Sequence, residues 1–288
     1  MPMQATSTAR RTPPAPAALN CVDVLPCIRG ENSSVGVPAT RYFVTPESRM
    51  DSRPRLLLVH GSVVNADLTW SAQKPLAERF EIVAPNRRGF PPGPDVEHVD
   101  FEDEALWLEQ FLEPGTHVAG HSYGGVCSLF LAARRPELLR SLTVIEPPAF
   151  GVARGIPAAD EFMSRIEEHW TNGPLDPAEF LRGFLVLVGS STPSGDFTPE
   201  LLQGARTLMV ERPPSEAVIP FDELARAPFP KLVVSGGHSA AFDAVCGVLE
   251  ERLGAERAVL PGAGHSVQRL GEPFNELLAS FVERAEEP

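Results

Sequence analysis

The residues with the clearest chemical potential form one short stretch, Gly120-His121-Ser122-Tyr123-Gly124, which fits the pattern G-x-S-x-G. A serine hydroxyl attacks a carbonyl carbon once a neighbouring base takes its proton. The flanking glycines remove Cβ atoms that would clash in a sharp turn, so the backbone can hold Ser122 in a strained conformation with its hydroxyl exposed. The N–H of Tyr123, at the start of the following helix, would then stabilise a negative oxygen. The stretch predicts a nucleophilic serine with half of an oxyanion hole, although a glycine-rich turn before a helix also fits the pattern.

A turn of this kind needs a strand before it and a helix after it, and the chain alternates between such elements. Apolar runs predict strands at Arg55–Val59, 81–84, 116–119, 141–145, Lys231–Ser235 and 256–260. Patterns of helical period occupy 66–80, 101–112, 123–134, 240–253 and 273–283. Runs without alternation indicate strands buried on both faces. With early strands at 22–28 and 40–44, we predict an α/β fold with a mostly parallel, doubly wound, eight-stranded sheet, in which ligands bind at the carboxyl ends of the strands.

The stretch 147–228 has a different character, with helices predicted at 160–170, 177–188 and 199–210 and no convincing strand. We interpret it as a helical cap inserted over the carboxyl ends of the strands. The core then comprises 21–146 and 229–288, and 1–20 is predicted to be a disordered leader. Three apolar residues of the cap, Phe162, Trp170 and Phe184, are candidates to line a substrate cavity. Packing of the cap helices on one another is the simpler account of any one of them.

Charge and composition exclude several classes of protein. The net charge of −13 argues against nucleic acid and anionic membranes as partners, because both attract positive surfaces. No segment approaches the roughly eighteen consecutive apolar residues of a spanning helix, and the N-terminus lacks the apolar run of a signal peptide, so we expect a cytoplasmic protein. The four cysteines have no zinc-type spacing, and no phosphate loop is evident. We therefore expect no metal, no cofactor and a small-molecule substrate, whereas oligomeric state stays open.

From about residue 40 to 282 the chain resembles the α/β-hydrolase fold superfamily, in its serine hydrolase branch with a helical cap. The shared motifs occur in order: a strand ending in His60-Gly61, the turn at Ser122, the cap, and Gly264-His265 after the last strand. The resemblance implies a Ser, acid, His order along the chain. It makes Ser122 the nucleophile and His265 the base. It also implies that the N–H of Ser62 joins that of Tyr123 in the oxyanion hole.

The acid of this arrangement has two candidates. The family's usual position follows the strand before 236, and Gly236-Gly237-His238-Ser239 has a serine there. Glu146 ends the strand at 141–145, where some branches such as certain haloalkane dehalogenases place the acid. Asp243 lies four residues beyond the usual position, at a helix start where it would also complement the helix dipole. We favour Glu146 and keep Asp243 as the alternative. A histidine oriented without any carboxylate is a third possibility, and His238 is a rival base.

The resemblance implies a hydrolase that cleaves a carboxylic ester or thioester of a hydrophobic small molecule through an acyl-enzyme. Dehalogenases and epoxide hydrolases use a carboxylate nucleophile, so the serine disfavours them. Prolyl peptidases, carbon–carbon bond hydrolases and hydroxynitrile lyases keep the serine and stay open. The alternative from another class is a non-hydrolytic protein of this fold, such as a lyase, a cyclase or a receptor-like binding protein. The serine at the family's usual acid position supports this alternative. Arg87 and Arg88 follow a predicted strand near the predicted oxyanion turn, and we interpret them as residues of a solvated turn.

Overall fold

The structure, a computed structural model, describes residues 53–190, 192, 195–262 and 264–287. Within these residues, six strands form one parallel sheet in the order β2-β1-β3-β4-β5-β6. The strands are β1 (Arg55–Val59), β2 (Glu81–Val83), β3 (Thr116–His121), β4 (Leu139–Ile145), β5 (Lys231–Ser235) and β6 (Glu256–Val259). The prediction of a mostly parallel α/β sheet is confirmed. The two early strands and the leader predicted from the sequence lie outside the described residues.

The sheet is covered on both faces, as its unbroken apolar strands require. Along β1, Leu57 and Val59 pack into one buried apolar cluster, whereas Leu56 and Leu58 pack into another. Successive side chains of a strand point to opposite faces, so the two clusters lie on the two sides of the sheet. Burial on both faces explains why these strands consist of consecutive apolar residues in the sequence.

Helices connect the parallel strands. They are α1 (Ala66–Thr69), α2 (Phe101–Leu108), α3 (Tyr123–Arg134), α4 (Pro157–Asn172), α5 (Pro177–Leu187), α6 (Pro199–Met209), α7 (Phe221–Arg226), α8 (Ala240–Leu253) and α9 (Glu272–Glu286). Several begin after a residue whose side chain accepts a hydrogen bond from the first turn, namely Asp100, Asp176 and Thr198. Such caps satisfy N–H groups that have no partner inside the helix.

The first connection differs from the helix predicted over 66–80. The structure has the short α1 and then 3-10 turns over Ser71–Glu78, with Pro75 inside them. Proline has no N–H to donate and its ring opposes a continuous α-helix, which explains the change of helix type. The helix predicted over 101–112 likewise ends as α2 at Leu108 and continues as a 3-10 turn, Glu109–Phe111.

The segment that joins β4 to β5 carries α4 to α7, and its described residues form no named strand. It packs on α8 partly through aromatic rings: Phe162 of α4 lies 5.5 Å from Phe242 of α8, measured between ring centroids. The boundaries proposed for a cap at 147–228 stay a prediction. In the described residues, no helix has the length and hydropathy needed to cross a membrane.

Candidate active site

Ser122 lies on the sharp turn between β3 and α3 with φ 54° and ψ −127°. A positive φ is strained for a residue other than glycine. The turn fits because its neighbours lack side chains. A Cβ on Gly124 would collide with the backbone carbonyls of Val59 and His60, and a Cβ on Gly61 would lie 2.8 Å from the Cβ of Ser122. The strained conformation predicted for Ser122 is therefore present and is held by close backbone packing.

His265 follows β6 and places its ring beside Ser122. Its Nε2 lies 2.9 Å from Ser122 Oγ, and the ring is buried. Burial lowers the pKa of His265 to about 3, with a smaller contribution from nearby His238. The imidazole is thus neutral at neutral pH, which is the form that accepts a proton. The N–H of His121 Nε2 donates to the carbonyl of His265 at 2.9 Å, so His121 holds the loop that carries the candidate base.

Glu146 directly follows β4 and approaches the other side of the same ring. Its Oε2 lies 3.2 Å from His265 Nδ1, and its Oε1 accepts the N–H of Gly236 at 2.6 Å. The side chain is fully buried. Burial raises the pKa of Glu146 to about 7, against the opposing effects of the Gly236 N–H and His238. A carboxylate in this position fixes the tautomer of the histidine and stabilises its protonated form.

Asp243, the alternative acid, makes its contacts elsewhere. Its Oδ1 accepts the hydroxyl of Ser235 at 2.5 Å and Nη2 of Arg257 at 3.1 Å. Across the described residues, no hydrogen bond or ion pair joins Asp243 to His265. The structure therefore brings Glu146, and not Asp243, into contact with the candidate base.

His238 contributes a third group beside Glu146. Its Nδ1 lies 3.7 Å from Glu146 Oε2, and none of the described hydrogen bonds joins it to Ser122. Glu146, His238 and His265 each present one ligand atom, and these atoms all lie within 4.8 Å of one another, so the three residues could hold a metal ion. A metal bound to His265 Nδ1 would replace the contact with Glu146. The separations along the chain gave no sign of this cluster.

The two predicted oxyanion groups belong to Tyr123 and Ser62. Tyr123 is the first residue of α3, where N–H groups have no carbonyl partner within the helix. Ser62 follows β1, and the next residue, Val63, has φ 74°. Ser62 and Tyr123 both border the cavity that contains Ser122. Their roles in an oxyanion hole stay a prediction.

The interpretation of Arg87 as a residue of a solvated turn was wrong. The side chain is fully buried, and it donates from Nη1 to the carbonyl of Gly61 at 3.1 Å. Its Nε lies 3.3 Å from Glu104 Oε2, and its Nη2 lies 2.9 Å from Glu211 Oε1. Arg88 is 44% exposed and pairs with Glu104, so its charge is only partly solvated.

Glu211 is a site residue that sequence reasoning missed. It borders the same cavity as Ser122 and accepts the hydroxyl of Ser62 at 2.5 Å, so that hydroxyl is occupied by a protein partner. Burial raises the pKa of Glu211, and the charge of Arg87 opposes this. Arg87 also lies over the ring of Tyr123, 4.6 Å from its centroid. Glu211 lies after α6 in an irregular stretch, where no periodic pattern marks it.

Two cavities meet at Ser122. The first, which we call the apolar chamber, has a volume of about 220 Å³, and its wall includes Phe150, Phe162, Met163, Ile166, Trp170, Phe184, Glu167 and Glu211. The second, which we call the loop chamber, has a volume of about 820 Å³, and its wall includes His121, Gly262, Gly264, Ser266, Gln268 and Arg269. Ser62, Ser122 and His265 border both. The three aromatic residues predicted to line a substrate cavity, Phe162, Trp170 and Phe184, all lie on the wall of the apolar chamber.

A parallel sheet with a strained serine after one strand, and a histidine and a carboxylate after two others, defines the α/β-hydrolase class of fold. The sequence model of the alpha/beta hydrolase family matches residues 56–277, and the chain belongs to this family.

Three proteins that resemble this chain share 30% or less of their residues with it over the matched regions. The chain is 25% identical over 256 residues to a 2-(acetamidomethylene)succinate hydrolase of Mesorhizobium japonicum, a match that covers 81% of this chain and 89% of that protein. It is 30% identical over 76 residues to the probable lysophospholipase BODYGUARD 1 of Arabidopsis thaliana, which covers 26% of this chain and only 16% of that protein. The crystal structure of a membrane phospholipase A, a bacterial virulence factor, superposes with a TM-score of 0.62 at 21% identity, over 83% of this chain and 81% of that one. This last likeness shows the fold alone.

Proposed function

We propose that this protein is a serine hydrolase that cleaves a carboxylic ester or thioester of a hydrophobic small molecule through an acyl-enzyme. The observation that carries the proposal is the continuous contact from Ser122 Oγ to His265 Nε2 at 2.9 Å and from His265 Nδ1 to Glu146 Oε2 at 3.2 Å. The nucleophile therefore lies within hydrogen-bond reach of the base, and the base within reach of the orienting carboxylate, which is the arrangement that activates a serine. The hydrolase relatives support the reaction class.

The reaction follows from these contacts. Ser122 Oγ attacks the carbonyl carbon as His265 Nε2 takes its proton, and Glu146 stabilises the imidazolium that forms. The N–H groups of Ser62 and Tyr123 hold the tetrahedral oxyanion. His265 then donates the proton to the leaving oxygen or sulfur, and the acyl group stays on Ser122. Water, deprotonated by His265, attacks the acyl-enzyme and releases the acid.

The chamber beside Ser122 supports a hydrophobic substrate. Its wall is mainly aromatic and aliphatic, and such walls stabilise apolar groups that leave water. Its volume of about 220 Å³ lies below the range of about 300–1,000 Å³ that is usual for drug-sized ligands, so the group bound there is compact. The reaction needs neither a metal nor a cofactor, and the net charge of −13 disfavours nucleic acid or an anionic membrane as partner.

A fluorophosphonate tests the proposal, because it phosphonylates activated serines irreversibly. We expect the intact mass of the purified protein to rise by one adduct, which peptide mapping places on Ser122. Ser122→Ala should give no adduct and no ester hydrolysis. Ser128→Ala is the matched control, since Ser128 lies in α3 with its hydroxyl bonded to the Gly124 carbonyl at 2.7 Å, and it should label like the parent chain.

The absence of an adduct on folded protein would contradict the proposed activation of Ser122. Labelling that persists in Ser122→Ala would place the reactive serine elsewhere. Either result would favour the other class of function, in which the cavity binds a ligand or supports a lyase reaction without an acyl-enzyme.

A further inference from the structure

The walls of the two chambers differ in charge. Among the described residues that border the apolar chamber, the charged side chains are Glu167 and Glu211. The described wall of the loop chamber contains no Asp, Glu or Lys, and its single permanent charge is Arg269. This difference matters because both chambers open onto the same serine. A substrate with one charged end is therefore favoured in one orientation.

Arg269 is an exposed side chain, and the part of the chain that the structure describes offers its guanidinium no ion pair or hydrogen bond. Most other arginines near the surface are paired; Arg206, for example, lies 3.0 Å from Asp95. In a protein with a net charge of −13, Arg269 is thus an uncompensated cation on the wall of a chamber that Ser122 also borders. A guanidinium binds carboxylates and other oxyanions through directed hydrogen bonds.

The position of His265 indicates which end of the substrate lies in which chamber. His265 must donate a proton to the leaving group, so the leaving group lies on the side of its ring. The loop that carries His265 and Arg269 forms a wall of the loop chamber, whereas Tyr123, a predicted oxyanion residue, borders the apolar chamber. The leaving group then occupies the loop chamber and the acyl group the apolar chamber.

We propose that the natural substrate is an ester or thioester with an uncharged, compact acyl group in the apolar chamber and an anionic leaving group, such as a carboxylate-bearing alcohol or thiol, bound beside Arg269. This assignment rests on the proposed hydrolase function. An anion on the acyl group is disfavoured, because it would lose its hydration among aromatic side chains.

The test compares esters that differ in one charge. The hexanoate ester of 4-hydroxybenzoate carries an anion on its leaving group, and the hexanoate ester of 4-hydroxybenzamide is its neutral counterpart. We expect kcat/KM to be about fivefold higher for the anionic ester at low salt, and the ratio to fall toward one as salt screens the charge. The monophenyl ester of adipic acid, with the anion on the acyl group, should be cleaved more slowly than phenyl hexanoate.

Variants distinguish a direct contact between the substrate and Arg269 from an effect of the protein's net charge. Arg269→Gln should bring the ratio of anionic to neutral ester to about one, and Arg269→Lys should retain part of the preference. Arg140→Gln makes the same change of net charge at the start of β4, at the opposite end of the strand from Glu146, and should leave the ratio unchanged.

The outcomes distinguish this inference from the function on which it rests. Equal rates for the two hexanoates, with both reactions lost in Ser122→Ala, would overturn the assignment of the chambers and leave the hydrolase intact. A preference that persists in Arg269→Gln would also overturn it. Failure to cleave any ester, together with no fluorophosphonate adduct, would remove both proposals.

Discussion

Glu146 owes its contact with His265 to the backbone as much as to its side chain. Its N–H donates to the carbonyl of Val234 at 2.9 Å, which continues the pairing of β4 with β5 one residue beyond the strand. The residue then takes φ 50°, a strained value for glutamate. That turn directs the carboxylate into the space beside His265. Strain held at a residue with a buried carboxylate is consistent with a functional role for Glu146.

At the scale of single residues, we predict that Glu146→Gln lowers kcat for ester hydrolysis by about 10³- to 10⁴-fold, because a neutral amide stabilises no imidazolium and allows the wrong tautomer of His265. The measurement is steady-state kinetics on an activated ester. Asp243→Asn is the matched control. Since Asp243 binds Arg257 and Ser235, it should change kcat by less than about threefold.

The same variant has a signature in the pH profile. Because the pKa of Glu146 is raised to about 7, kcat/KM of the parent chain should fall as pH drops through this value and the carboxylate takes a proton. Glu146→Gln has no such group, so the decline near pH 7 should disappear from its residual activity. A large loss of activity in Asp243→Asn with a mild effect of Glu146→Gln would reverse the assignment of the acid.

At the scale of elements, helix α6 supports the turn that carries Ser62. A Cβ on Gly204 of α6 would collide with the backbone carbonyl of Val63, the residue after Ser62. The helix backbone thus lies directly on this turn, and Thr207 of the same helix donates its hydroxyl to the carbonyl of Gly89 at 2.7 Å. The glycine is required here by close approach. The position of the predicted oxyanion turn therefore depends on Gly204, which lies 142 positions after Ser62 in the chain.

Gly204→Ala should destabilise the protein by about 1–3 kcal/mol, because the new methyl group forces α6 away from the turn. Gly247→Ala is the control: Gly247 lies inside α8, and apart from its chain neighbours and the nearby backbone of α8 no atom would lie within 4 Å of its new Cβ. Better helix propensity should stabilise this variant by about 0.5–1 kcal/mol. Urea unfolding measures both free energies. A Gly204→Ala variant that is as stable as the parent chain, or more stable, would show that Gly204 does not mark a tight contact.

The sequence was informative where structure is set locally. The central strands of the described sheet were predicted closely because burial on both faces leaves unbroken apolar runs, and Ser122 and His265 follow short motifs. The choice between Glu146 and Asp243 was not local, since it depends on where the ends of β4 and β5 lie relative to His265. Arg87 was misjudged for the same reason, because its partners Glu104 and Glu211 lie 17 and 124 positions away.

At the scale of the whole molecule, Arg87 joins parts of the fold that are far apart in the chain. It contacts Gly61 after β1, Glu104 in α2 and Glu211 after α6, and its own N–H donates to His60 Nε2 at 2.8 Å. The segment between β4 and β5 is thereby tied to the sheet through a buried charge. A buried ion pair stabilises little against an apolar replacement of the whole group, but removing Arg87 leaves Glu211 without its cation, whereas Glu104 keeps Arg88.

Arg87→Met should therefore lower the free energy of unfolding by about 3–5 kcal/mol at neutral pH, because Glu211 keeps a buried charge without its cation. Arg206→Met removes an ion pair of α6 whose partners are 45% and 53% exposed, and should cost less than about 1 kcal/mol. Without Arg87 the pKa of Glu211 rises further, so the folded variant takes up a proton that the unfolded chain does not bind. The loss of unfolding free energy in Arg87→Met, relative to the parent chain, should then shrink as pH falls from 7 toward 5. Urea unfolding at pH 7 and pH 5 measures this loss. A loss that is equal at the two pH values, or no larger than that of Arg206→Met, would show that the buried carboxylates do not depend on Arg87.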